Sequence, residues 1–156
     1  MSSPQLPEIW IEDCQETRSV DVAILTRLAP VALELVLGRT GQGTGAAGFG
    51  VEMDALEVSL VSDEEIARIH GEFFDDPTPT DVITFAHGEL VIGVEAAAAE
   101  AEERGWPLER ELLLYLIHGF LHLQGLDDQL PEQFEEMRRL QEEILDLTWP
   151  LERKSG

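Results

Sequence analysis

Basic residues are scarce in this chain: ten Lys and Arg stand against 32 Asp and Glu, a formal charge of -22. A protein that grips phosphates normally displays a basic patch, so composition alone argues against nucleic acid. The acids are spread along the chain and not gathered in a tail. That distribution reads as a heavily solvated surface, with a field tuned to attract a cation as the rival reading. Cysteine is nearly absent: Cys14 stands alone, which excludes an internal disulfide and suits a reducing cytosol. It is a poor candidate nucleophile. Long apolar runs are missing too. None reaches the roughly 18 residues that span a bilayer, and the opening "MSSPQLPEIW" has neither the basic nor the apolar region of an export signal. The expectation is a cytoplasmic protein with no membrane association.

What is present is ordinary globular material. Of the 156 residues, 44% are hydrophobic and 27% charged, enough for one domain over residues 1–156 that buries roughly two-thirds of its unfolded surface. "EIWIED" (Glu8 to Asp13) alternates like a half-buried strand. A helical spacing of apolar residues runs from Val20 to Leu37, with Ser19 or Asp21 as cap and Pro30 inside. Residues 38–50 are too glycine-rich for regular structure and read as a flexible loop; residues 151–156 read as a tail. "DALEVSLV" is a second strand. "SDEEIARIHGEFF" opens with the Ser62/Glu65 capping box of a short helix. Val82 to Phe85 and Leu90 to Val94 are two neighbouring strands. Helices follow over Glu95 to Arg104, ending at Gly105; from Pro107 to Gly125; and from Pro131 to Leu147, the last with Phe134, Met137, Leu140, Ile144 and Leu147 on one face. The sum is an α/β or α+β domain of about four strands and five helices.

Chemistry concentrates in "LIHGFLHLQGLDD", Leu116 to Asp128. On a helix, His118 and His122 lie one above the other and can present two imidazoles to one cation. Gly125 permits the left-handed turn that ends the helix, so Asp127 or Asp128 can return an oxygen to the same ion. Two nitrogens and a carboxylate leave one tetrahedral position open, the ligand count of a catalytic zinc site. Zinc brings the pKa of its water to about 7, so hydrolysis is the implied reaction class. A histidine pair of this kind is also often structural, and its neighbours Ile117, Phe120, Leu121 and Leu123 read as core. Gly119 tips the balance, because glycine inside a helix costs about 1 kcal/mol and needs a reason, either close packing or ligand approach. It also stands where an H-E-x-x-H protease has its general base, so that reading lacks a base. The same ligand set could hold iron(II), although no co-substrate site is evident.

"HGFLHLQGLDD" resembles the H-G-x-L-H-L-x-G-Y-D-H motif of the YbeY family of bacterial rRNA maturation factors. "PTDVITF" (Pro79 to Phe85) is similar to that family's P-T-D-V-L-S-F, and the likeness runs from about Leu56 to Met137. It implies a small domain with a mixed sheet and a metal helix lining a cleft. It also implies one Zn2+ on His118, His122 and Asp128, the last standing where the family usually has a third histidine. The implied work is zinc-dependent cleavage of single-stranded RNA in 16S rRNA 3′-end maturation and ribosome quality control, with ribosomal RNA, the 30S subunit and ribosomal or assembly proteins as partners. Thr80 and Asp81 either line the cleft or merely start a strand.

Two residues depart from the family pattern. Asp128 replaces a histidine with a charged ligand, which should make bound water less acidic. Phe74 falls where many members carry an arginine. Of the few remaining arginines Arg110, eight residues before His118, is the candidate for phosphate; it could equally form a helix ion pair with Glu109 or Glu111. The rival functions are a ribosome-assembly binding factor with a structural metal, and a different metallohydrolase.

Overall fold

A computed structural model describes residues 6–40, 55–74, 82–85, 87–126 and 131–149. Among them the chain runs β1 (Glu8–Asp13), α1 (Val22–Thr40), β2 (Ala55–Val61), α2 (Asp63–Phe74), β3 (Val82–Phe85), β4 (Glu89–Gly93), α3 (Val94–Arg104), α4 (Leu108–Leu123) and α5 (Pro131–Thr148). The strands form one mixed sheet in the order β1-β2-β4-β3. β1 pairs parallel with β2 and β2 with β4, while β3 runs antiparallel to β4. The α/β expectation, with four strands and five helices, is what the described residues show.

Side-chain alternation along the strands explains the layering. Leu56, Val58 and Leu60 of β2 and Leu90 and Ile92 of β4 project into one large core with α1, α4 and α5. Val61, Ile83 and Val91 project the other way, into a small cluster with Ile66 of α2. α4 is apolar almost all round, with Leu112, Leu113, Leu116, Ile117, Phe120 and Leu121 buried, which is the pattern of a helix enclosed on every side. It packs against α1, α3, α5 and the β3–β4 half of the sheet. No described helix is long and apolar enough to cross a membrane.

Helix ends follow local chemistry. The Asp21 carboxylate accepts a bond from Ile24 N at the start of α1. Ser62 Oγ accepts from Glu65 N at the start of α2, where Glu95 also accepts from Asp63 N at 2.7 Å. Gly105 (φ 74°) and Gly125 (φ 101°) take left-handed turns beyond α3 and α4.

Two expectations are corrected. α1 continues through Gly38, Arg39 and Thr40, because Thr40 Oγ1 bonds back to Val36 O and Arg39 pairs with Glu143 of α5 at 3.0 Å. Tertiary partners override the one glycine; the remainder of the expected loop, and the tail, lie outside the described residues. On α5, Met137, Leu140 and Ile144 are buried as expected, but Phe134 and Leu147 are about half exposed, and Leu145 and Thr148 are buried in their place. The buried stripe thus ends with the flank of α4 that α5 covers, short of Phe134.

Candidate active site

α4 carries the chemistry. His118 and His122 sit one turn apart, partly buried, with ring centroids 4.6 Å apart and planes at 75°. Their Nε2 atoms are 3.0 Å apart. Two nitrogens bound to one tetrahedral zinc at about 2.0–2.1 Å would stand roughly 3.3 Å apart. The pair is therefore already at nearly the bite of a single cation.

The His118 ring is fixed from behind. Its Nδ1 bonds to Gln141 Oε1 on α5, and a carbonyl oxygen can only accept, so Nδ1 carries the proton and the Nε2 lone pair points toward His122. This is the outer-shell arrangement that sets tautomer and orientation in metal-binding histidines. The chemistry of the donor set fits zinc. Gln141 was missed from sequence, yet it left a signal: it stands between the apolar positions Met137, Leu140, Ile144 and Leu145 on the buried side of α5.

Gly119 has a packing reason. A Cβ there would lie 2.3 Å from Cδ2 of the buried Leu90 and 3.4 Å from Thr84 Oγ1. Here α4 is pressed against the β3–β4 hairpin, and no acidic side chain of a protease type could be housed at this position. The Thr84 hydroxyl is buried beside it with no hydrogen-bond partner among the described residues.

The other expected residues are placed elsewhere. Arg110 lies eight residues up α4, about 12 Å along the axis from His118. It reaches Asp146 of α5 at 3.4 Å and lies 4.1 Å over the Trp106 ring. It is thus not brought to the histidine pair, and the ion pair it makes is with neither Glu109 nor Glu111. Glu109 instead accepts from Asp21 N at 2.8 Å. Buried Glu111 lies 3.4 Å from Arg104. Asp127, Asp128, Thr80, Asp81 and the Phe74 side chain lie outside the described residues. Among the described residues no group of three or more His, Cys, Asp or Glu gathers as a metal site.

A mixed-sheet α/β domain with a two-histidine helix clamped to its edge hairpin defines a narrow class of protein, and comparison with known proteins places the chain within it. The family described as Endoribonuclease YbeY matches residues 11–148. Proteins of that description from Streptococcus sanguinis and Symbiobacterium thermophilum are each 32% identical, over 88% of this chain and 95% of their own. One from Bacillus licheniformis is 38% identical over 65% of this chain and 77% of its own. A solution structure from Thermotoga maritima superposes with a TM-score of 0.55 at 25% identity, covering 95% of this chain and 93% of the other. The chain belongs to the YbeY family, a family of nucleases.

Proposed function

We propose that this protein is a zinc-dependent, single-strand-specific endoribonuclease of the cytoplasm that acts on ribosomal RNA in 16S 3′-end maturation and ribosome quality control. Family membership supports the nuclease reading. The observation that carries the metal reading is the His118–His122 pair, with Nε2 atoms 3.0 Å apart and one ring held by Gln141. Zn2+ on His118, His122 and Asp128 would supply Lewis-acid stabilisation of charge developing on a phosphodiester. Gln141 keeps the His118 proton on Nδ1, so that Nε2 stays a donor of electrons and not of a proton. Gly119 lets the helix lie close against Leu90 of the hairpin, at the turn that carries both histidines. With glycine there, no carboxylate follows the first histidine as a base. The attacking group is then either the substrate's 2′-hydroxyl, which leaves a cyclic phosphate, or water, which does not; product end groups separate the two.

Charge favours a second reading, a ribosome-assembly factor that docks on basic ribosomal or assembly proteins of the 30S subunit. The net charge is -22, and the arginines Arg104, Arg110, Arg138 and Arg139 are engaged with carboxylates. Single-turnover cleavage of an rRNA precursor by the wild type and His122→Ala decides. The nuclease reading expects cleavage to be lost in the variant; equal cleavage by both proteins would sink it.

A further inference from the structure

Beyond the histidine site, three aromatic rings meet on the opposite face of the sheet's edge. Phe73, near the end of α2, is 62% exposed and stands edge-on to Phe85 of β3, with centroids 5.3 Å apart and planes at 72°. Phe85 in turn stacks on His87, at 5.7 Å and 25°. His87 is exposed and bonds through Nε2 to Glu89 Oε1 at 3.0 Å. A single exposed apolar residue needs no explanation. Three rings in a row, with the outer two, Phe73 and His87, exposed, form a surface with aromatic faces to offer.

The position is informative. β3 is the edge strand of the sheet, and successive residues on it face opposite ways. Thr84 faces α4, beside Gly119 and hence next to His118; Phe85, the next residue, joins the cluster under α2. The rings and the histidine pair therefore flank the same four-residue strand. A single strand crossing that edge would meet both.

We propose that Phe73, Phe85 and His87 form a stacking platform for unpaired nucleobases of a single-stranded RNA substrate. This rests on the nuclease reading given above. Electrostatics point the same way: this acidic molecule cannot hold a polyanion chiefly by its phosphates, and Arg68, on the same helix as Phe73, is already paired with Glu65 and Glu72. Base–aromatic stacking needs no positive charge, tolerates any sequence and contributes about 1–3 kcal/mol per base. Glu89 disfavours a phosphate at His87 and leaves the base face as the group recognised.

The test is binding, read separately from cleavage. A fluorophore-labelled, unstructured oligoribonucleotide is titrated by anisotropy against the full chain carrying His122→Ala, alone or with Phe73→Ala, Phe73→Leu or Phe73→Trp. The platform expects Kd to rise about tenfold for Ala and Leu and to recover for Trp, and a duplex of the same sequence to bind more weakly than the single strand. It is overturned by a Kd within about twofold for Phe73→Ala, by Leu serving as well as Phe, by equal duplex binding, or by no binding to the parent. Leu serving as well would mark an apolar protein contact instead. Cleavage that depends on His122, with no effect at Phe73, would sink the platform and leave the nuclease standing. The converse result would sink the nuclease and leave the platform.

Discussion

Gln141, from α5, and Gly119, within α4 itself, control one turn of α4, and both roles are measurable. Gln141 Oε1 holds the Nδ1 proton of His118, so Gln141→Ala frees the ring to rotate and change tautomer. Zinc affinity, read by competition with a chromophoric chelator, should fall about 10–100-fold. Asp128→Ala should lower it as well, and near-stoichiometric zinc in that variant would remove Asp128 from the ligand set. Gly119→Ala sets two effects against each other. Alanine favours the helix by about 1 kcal/mol, but its Cβ would collide with a side chain of zero exposure, Leu90, at 2.3 Å, and overpacking costs about 1–3 kcal/mol. The net expectation is a loss of about 1 kcal/mol in urea denaturation, relieved by adding Leu90→Ala; a more stable single variant would show that the interface yields freely. These residues also mark how far the sequence could be read. The histidine pair was legible because the i, i+4 relation is a property of one helix. Gln141 was not: the apolar stripe of α5 marks it as a polar residue among buried ones, but which side chain it meets is set by a helix–helix contact between residues far apart in sequence. Cys14 is exposed, and its thiol is pushed up by the protein that displaces water around it and then by the Glu12 carboxylate, which disfavours the thiolate.

Element by element, legibility tracked punctuation. Gly105 and Gly125 stop their helices where left-handed turns were expected, and Ser62 caps α2. Gly38 did not stop α1, since Arg39 and Glu143 tie its last turn to α5. The capping box of α2 is only half formed. Ser62 accepts from Glu65 N, but the Glu65 carboxylate turns away to Arg68 at 2.7 Å and is held below the usual carboxylate range, first by that bond. A carboxyl whose folded pKa is depressed adds stability above its unfolded value, near 4.5, and that stability is lost as pH falls through the lower folded value. Both groups are largely exposed, so the contribution is small. Arg68→Gln should bring the Glu65 titration, followed by side-chain NMR, back up toward its ordinary position. An unchanged titration would assign the shift to the helix N-terminus instead. Ser62→Ala should cost about 1 kcal/mol of stability at neutral pH.

At the scale of the whole molecule, the charge that argued against nucleic acid and the family that cleaves it must be reconciled. The chain has nine arginines and one lysine. Among the described residues at least six of those arginines pair with carboxylates: Arg39, Arg68, Arg104, Arg110, Arg138 and Arg139. A charge count is silent about a site of the kind proposed, because a metal centre and aromatic faces would need few residues and leave almost no mark on it. A consequence follows for salt. Proteins that neutralise six to ten phosphates release as many counterions and lose roughly 10³–10⁵ in affinity between 50 and 200 mM salt. Here few cations are available to replace counterions, and the field of the surrounding acids repels the strand at low salt and is screened at high salt. Binding of a single-stranded RNA should therefore vary by less than about tenfold over the same range, with a plot of log affinity against log salt that is nearly flat or rises. A steep fall, with a slope near -5 or beyond (roughly -0.7 per phosphate on single strands), would mean that a basic surface beyond the described pairs carries the RNA.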